Sequence, residues 1–268
     1  MHSPMMLSYG ETQNTEQEAQ QQLDLWYQEF KEFGMKISKS KTVVLKVSRD
    51  NRPCTITLEG QRVESVEDFS YLGSMLDREG RNDKEVINRV RKGAQFYQQV
   101  RTLLWNKDIP LKTKQTLYSS YYVPIASYSL EACTTNRREE SRLQAGEMKF
   151  LRTCVQKTRR DRVRNDEIRK EVEQRETLLT HISNARLRWY GHVERMENTR
   201  TAKVWLHGEV EGRRPRGRPR RRWRDQVRRE IQERGLDWRR LEEERSYLDR
   251  QTWRGIVNRT RATGDGDR

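Results

Sequence analysis

The residues of this chain best suited to chemistry are arginines. Residues 213–224 hold eight of them in twelve positions: Arg213, Arg214, Arg216, Arg218, Arg220, Arg221, Arg222 and Arg224. A guanidinium is permanently charged, and its forked N–H donors match the oxygens of a phosphate. Inside the tract, Arg216 and Arg218 flank Gly217 and are bracketed by Pro215 and Pro219. The prolines keep the backbone extended and non-helical. Gly217 removes a side chain where backbone must approach the floor of a groove. The two arginines could then enter a narrow A·T minor groove, where the negative potential is strongest.

Few other residues are spaced for chemistry. The three cysteines, Cys54, Cys133 and Cys154, are an odd and sparse set, which argues against a disulfide framework and for a reducing compartment. Cys133, Cys154, His181 and His192 could be combined as a zinc set, but the gaps between them are 20, 26 and 10 residues. Structural zinc favours tight pairs, so no metal is expected. His181 and His192 read as ordinary polar helix residues, and Trp189 and Trp205 as core rather than as platforms for stacked bases. There is no Ser/His/Asp arrangement, P-loop or dinucleotide fingerprint.

Charge points the same way as the arginines. The net charge is +15, from 55 basic and 40 acidic side chains. Residues 1–68 are net −3, residues 69–200 net +10 and residues 201–268 net +8. A field of that sign attracts polyanions, and release of their counterions drives binding. Only 32% of the chain is hydrophobic and 35% is charged, which supports a modest core and long solvated helices. No apolar run approaches a membrane span, and residues 1–10 lack the pattern of a secretory leader. The expected setting is intracellular and nuclear, with nucleic acid as partner, no membrane, and the oligomeric state left open.

These residues need elements to position them. Residues 15–33 read as a helix, with Leu23, Trp26, Tyr27, Phe30 and Phe33 on one face and Gly34 as its stop. Val43, Val44, Leu45 and Val47 form a β-branched run, and residues 55–58 another, separated by a turn cluster at 50–53 and followed by a Glu59-Gly60 turn. Phe69, Tyr71 and Gly73 lie in a further extended stretch. From residue 83 the period changes: Val86, Val90, Ala94, Tyr97, Val100 and Leu104 form a helical stripe, with Arg89, Arg91, Lys92 and Arg101 off it. Residues 111–130 read as a helix that Pro124 should kink or split. Residues 137–155 read as a third, around Leu143, Phe150 and Leu151. The charged stretch 157–176 reads as a linker or marginal helix. In residues 177–196 the stripe reads Leu178, Ile182, Ala185, Trp189. After the Gly/Pro/Arg break, Trp223, Val227 and Ile231 recur every four residues up to Gly235, and Trp238, Leu241, Trp253 and Ile256 suggest a terminal helical unit.

Three segments, in order, resemble the carboxy-terminal part of LINE-type (non-LTR) retrotransposon reverse transcriptases. The first, Gly34-Met35-Lys36-Ile37-Ser38-Lys39-Ser40-Lys41-Thr42, resembles the palm motif in which a helix runs into a strand ending in Lys-Thr. The second, Phe69-Ser70-Tyr71-Leu72-Gly73-Ser74, is similar to the primer-grip hairpin. The third is Arg186-Leu187-Arg188-Trp189-Tyr190-Gly191-His192-Val193-Glu194-Arg195-Met196, followed by the arginine tract. Residues 215–219 also resemble an AT-hook core; a nuclear-localisation patch and a polyanion-binding linker are alternatives.

The resemblance implies an α+β fold: a partial palm of a few antiparallel strands and one helix, then a helical thumb and a basic helical carboxy-terminal region. The expected parts are a palm remnant at 1–80, a thumb-like region at 81–156, a helical region at 157–207, a basic linker at 208–224, a small helical unit at 225–259 and a disordered tail at 260–268. It implies that Lys41 matches the palm lysine near the outgoing pyrophosphate, with a solvated strand-end lysine as the alternative. Phe69, Tyr71, Leu72 and Gly73 would press on the primer backbone, and Arg89, Arg91, Lys92 and Arg101 would grip an RNA–DNA duplex through phosphate and sugar.

The family's Asp-Asp box, which with Mg²⁺ runs the polymerase reaction of the full-length parent, has no counterpart here. Met1-His2-Ser3-Pro4 precedes Met5-Met6-Leu7, and the first Asp is Asp24. The expectation is a chain that needs no cofactor and binds nucleic acid (DNA or an RNA–DNA duplex) without polymerising. A host-adopted nucleic-acid-binding protein is the alternative.

Overall fold

The computed structural model describes residues 16–47, 54–174, 176–208 and 221–259. The chain divides into two compact units, Met1–Lys84 and Glu85–Arg268.

The first unit is built on α1 (Glu16–Glu32), whose Leu23 is buried against Cys54, Ile56, Leu58 and Val63. Trp26, Tyr27 and Phe30 are half-buried, but Phe33, expected on the same face, is 78% exposed. Gly34 follows with φ +68°, the left-handed geometry that ends a helix. Six short strands follow: β1 (Val43–Leu45), β2 (Thr57–Leu58), β3 (Gln61–Arg62), β4 (Glu64–Val66), β5 (Asp68–Tyr71) and β6 (Ser74–Asp77). They form three separate two-stranded ladders.

The expectation of antiparallel strands alone is corrected by β1, which pairs in parallel with β4, Val44 opposite Ser65. A parallel pair needs a long crossover, and the chain from residue 46 to 63 supplies it, carrying the β2–β3 hairpin within it. The Gln20 side chain lies along the edge of β2. Its Oε1 accepts from the Thr57 amide at 2.7 Å and its Nε2 donates to the Thr57 carbonyl at 2.9 Å, as a neighbouring strand would.

The second unit is helical: α2 (Asp83–Trp105), α3 (Leu111–Leu117), α4 (Val123–Ser127), α5 (Arg137–Cys154), α6 (Asn165–Glu171), α7 (Leu178–Glu194), α8 (Thr201–His207), α9 (Trp223–Gln232), α10 (Trp238–Glu243) and α11 (Arg250–Asn258). The buried face of α2 carries Val86, Arg89, Gly93, Tyr97, Val100 and Leu104, while Ala94 of the expected stripe is exposed. Pro124 acts as anticipated. Lacking an N–H, it cannot continue the α ladder, and the turn before it, Tyr118–Tyr122, widens to a π-helix in which the Val123 amide donates to the Tyr118 carbonyl.

The widened turn delivers Tyr118 and Tyr122 to the first core, around Phe150, whose ring centroid lies 4.8 Å from that of Tyr122 and 5.7 Å from that of Tyr118. Beside it Glu147 is fully buried. Its carboxylate accepts from the Tyr118 hydroxyl at 2.6 Å and the Leu178 amide at 2.8 Å, so it also serves the N-terminus of α7. The charged stretch 157–176 is no linker. It holds a 3₁₀ turn, Arg159–Asp161, and α6, whose Ile168 is buried, as is the following Val172.

Helix α5 starts at a capping box. Asn136 Oδ1 accepts from the Glu139 amide at 3.0 Å, and Glu139 Oε2 accepts from the Asn136 amide at 2.8 Å. Asn136→Ala removes one half of this pair, and should lower stability by about 1 kcal/mol, read as a shift of the urea midpoint with unchanged slope.

Candidate nucleic-acid interface

In the first unit the primer-grip-like residues form a hairpin. Strands β5 and β6 pair antiparallel from Asp68 opposite Asp77 to Tyr71 opposite Ser74. Leu72 and Gly73 are the two-residue loop, with φ +47° and +83°, the signature of a type I′ turn. Glycine suits such a position; leucine there costs about 1–2 kcal/mol of backbone strain. Leu72 is also 73% exposed, so an apolar side chain stands at the tip. Phe69 and Tyr71, two apart, share one face and are half-buried. At the base, Lys84 Nζ lies 2.9 Å from Asp68 and 2.8 Å from Asp77. Its ammonium holds the Asp77 carboxyl below the usual carboxylate range.

Lys41 is exposed, but it does not end a strand. It closes a 3₁₀ turn, Lys39–Lys41, and β1 begins only at Val43. Thr42 Oγ1 donates to the Ser38 carbonyl at 2.8 Å and closes that turn locally.

In the second unit the arginines divide into two groups. Arg91 and Arg101 are exposed and Lys92 is half-buried, so α2 presents cations to solvent. Arg89, expected among them, is buried. Its Nε sits 2.5 Å from Glu85 and its guanidinium lies 4.8 Å from the Tyr128 ring centroid. Burial of one charge is tolerable only beside its opposite, so Arg89 is a structural residue of this helix.

The arginine tract divides in the same manner. Arg213, Arg214, Arg216, Gly217, Arg218 and Arg220 lie outside the described residues, as do the tail 260–268 and the turn cluster 50–53. Arg221, Arg222 and Arg224 are described, and α9 begins at Trp223, inside the expected linker. Arg221 Nη1 donates to the Thr135 carbonyl at 3.1 Å and to Gln226 Oε1 at 3.0 Å, and Arg224 pairs with Glu242 at 2.5 Å. These two guanidinium groups also brace the fold, with Arg221 exposed and Arg224 half-buried. Arg222, the N-terminal cap residue of α9, is exposed.

The third resembling segment is the heart of this unit. Along α7, Arg186, Leu187, Tyr190 and Gly191 face inward. Arg186 Nη2 donates to the carbonyls of Leu130 and Cys133, both at 2.9 Å, and its Nη1 pairs with Glu230 of α9. Gln226 Nε2 reaches the same Glu230 oxygen at 3.0 Å. Trp223 Nε1 donates to the Glu131 carbonyl at 2.8 Å. Tyr190 is ringed by Trp223, Trp238, Tyr247 and Trp253, with centroids 5.6–6.3 Å away. The segment 130–135, α7 and α9 are thus bound into one body through buried polar bonds and an aromatic core.

The same helix turns Arg188, Trp189 and His192 outward. With His181 of α7 and Tyr128 and Glu131 of the facing segment, they line an open groove of about 520 Å³. Trp189 is 40% exposed and Tyr128 49% exposed, which overturns the assignment of Trp189 to the core. Trp205 on α8 is 47% exposed and is corrected likewise. The indole of Trp189 and the imidazole of His192 lie 5.5 Å apart. Sequence reasoning missed Tyr128 and Arg188 and placed Trp189 in the core; adjacent Arg and Trp inside an otherwise inward motif was the available signal.

Cys133 and Cys154 are buried, and desolvation pushes both thiols up to about 12, away from the thiolate a metal requires. Among the described residues no group of three or more His, Cys, Asp or Glu is placed to hold a metal ion, and no helix is long and apolar enough to cross a membrane.

No protein-family model and no solved structure matches the chain. It is 26% identical over 254 residues to a Caenorhabditis elegans protein whose name describes it as transposon-derived and uncharacterized, covering 87% of this chain and 86% of that one. The matched stretch is longer than either compact unit, and the similarity supports a transposon-related origin.

Proposed function

We propose that this chain is a nucleic-acid-binding protein derived from the carboxy-terminal part of a LINE-type reverse transcriptase, binding DNA or an RNA–DNA duplex rather than polymerising. One observation carries the binding part. Arg221 and Trp223, within the last turn of the arginine run, are bonded to the backbone at Thr135 and Glu131, and Glu131 lines the groove. The described end of the tract, Arg221 to Arg224, is therefore bonded to the segment that lines an open aromatic groove, in a chain of net charge +15. Such an arrangement suits phosphate contact from the tract, with counterion release as its driving force.

The reverse-transcriptase part rests on the three resembling segments. It is supported by the exposed, left-handed Leu72 at the tip of the primer-grip-like hairpin, where a strained apolar side chain would press on a nucleic-acid backbone. Arg91, Lys92 and Arg101 of α2 would be the thumb-like phosphate contacts, and the setting of such a protein would be the nucleus.

The test is a duplex titration at several salt concentrations. With about six tract arginines on phosphates, the plot of log affinity against log salt should have a slope of about −5. A slope near zero overturns the electrostatic reading. Replacing Arg216 and Arg218 by Ala should abolish any preference for A·T-rich duplex; a preference that survives removes the minor-groove role. RNA-templated primer extension by the chain with Mg²⁺ would overturn the claim that it only binds.

A further inference from the structure

We infer that the groove between α7 and the segment following α4 is a stacking site for an unpaired nucleobase of single-stranded nucleic acid. This inference rests on the nucleic-acid reading above and adds what the groove itself takes. Two large aromatic side chains, Trp189 and Tyr128, are substantially exposed in one concavity. Buried cores do not need them there: Tyr190 and the tryptophans around it already fill the interior side of α7. The concavity, about 520 Å³, has the size of a small-molecule site and is ample for one base and its sugar.

Its charge selects the occupant. Arg188 of α7 is the cation that lines it, with His181 and His192 beside it, while the Arg89 guanidinium behind the Tyr128 ring at 4.8 Å is buried and paired with Glu85. On the opposing segment Glu131 supplies an acidic group, and Glu176 lies 4.0 Å from His181 Nδ1. A phosphate is therefore drawn to the Arg188 side, and the Glu131 side suits a hydrogen-bond donor on the base edge, such as the ring N–H of a thymine. Exposed aromatic faces beside a cationic rim are how proteins hold unstacked bases, since every base offers a π-face. A base inside a duplex cannot reach such a platform without leaving its stack, so the site discriminates by strandedness. An apolar peptide would leave Arg188 without complement.

The closing experiment uses the full chain and three fluorescent probes: a short oligodeoxythymidylate, the same oligomer made abasic, and a duplex. The oligomer should bind roughly tenfold or more tightly than its abasic form, because the phosphates are identical and only stacking differs. Trp189→Ala should weaken the oligomer by a similar factor and weaken the duplex less, and Trp189→Phe should restore most of the loss. Equal binding of the normal and abasic oligomers overturns the inference while leaving the nucleic-acid function intact; so does Trp189→Ala with unchanged oligomer affinity. The abasic comparison needs no variant, so it decides even if a substitution disturbs folding. Failure of every probe to bind the wild-type chain overturns the parent reading and this one with it.

Discussion

Arg186→Ala is expected to lower the stability of the second unit by about 3–5 kcal/mol, the penalty for leaving a buried charge without its partner. Arg186 is 1% exposed and Glu230 1% exposed, so neither finds water when the other goes. The substitution also removes the guanidinium donor from the Cys133 carbonyl, 2.9 Å from Nη2, while the Leu130 carbonyl keeps the Cys133 amide at 3.2 Å. A buried acceptor left without its donor costs about 1–3 kcal/mol on its own. A urea melt followed by far-ultraviolet circular dichroism reads the loss directly. Arg186→Met with Glu230→Leu should recover much of it, because the pair is then replaced by apolar volume and not merely broken. A midpoint unmoved by Arg186→Ala would mean that α7, α9 and the segment 130–135 are not held together in this way. Loss of this bond should also weaken nucleic-acid binding, since the tether of the tract and the wall of the groove share the same segment.

Gly191→Ala should be the next most damaging change. A Cβ at Gly191 would lie 2.3 Å from Trp253 Nε1 and 2.4 Å from its Cδ1, distances no pair of atoms tolerates. The indole cannot slide away cheaply. Trp253 is 3% exposed, its Nε1 donates to the Leu187 carbonyl at 2.8 Å, and its ring packs 5.7 Å from that of Tyr190. The remaining response is for α11 to lift from α7, breaking that hydrogen bond. Overpacking of about 1–3 kcal/mol plus an orphaned indole donor of similar size gives about 2–6 kcal/mol. The expected signs are a lowered urea midpoint, a red shift of tryptophan emission, and proteolytic cleavage near α11 at urea concentrations where the wild type resists. An unshifted midpoint and emission spectrum would show that α11 does not pack on Gly191.

The groove and the motif come from one helix, and this explains how much of each was legible. Elements whose limits are set by local chemistry could be read in advance. Gly34 and Gly235 both adopt positive φ where a helix ends, and Pro124 disrupts the ladder it interrupts. Leu143, Phe150 and Leu151 are buried on α5, and Val227 and Ile231 on α9, because a period near 3.6 leaves one face apolar whatever it packs against. The strand partner of β1 was not legible. Pairing in parallel with β4 depends on a crossover and on Gln20 covering the edge of β2, and neither is local.

What the amino-acid sequence determined by itself is therefore the cationic character of the chain, the existence of its main helices and the points where they stop. What only the tertiary structure decided is the phase of α7 and the direction of its charges. A stripe of Leu178, Ile182, Ala185 and Trp189 fits helical spacing as well as the observed inward set of Leu178, Ile182, Arg186, Tyr190 and Val193. The two differ by a modest rotation about the helix axis. The choice is made by groups far along the chain: the Leu130 and Cys133 carbonyls and the Glu230 carboxylate accept the Arg186 guanidinium, and Trp253 fills the space over Gly191. Once Arg186 is turned inward to meet them, Trp189 must face solvent. The same rotation buries Leu187, Tyr190 and Val193, so apolar burial and the remote hydrogen-bond acceptors act together.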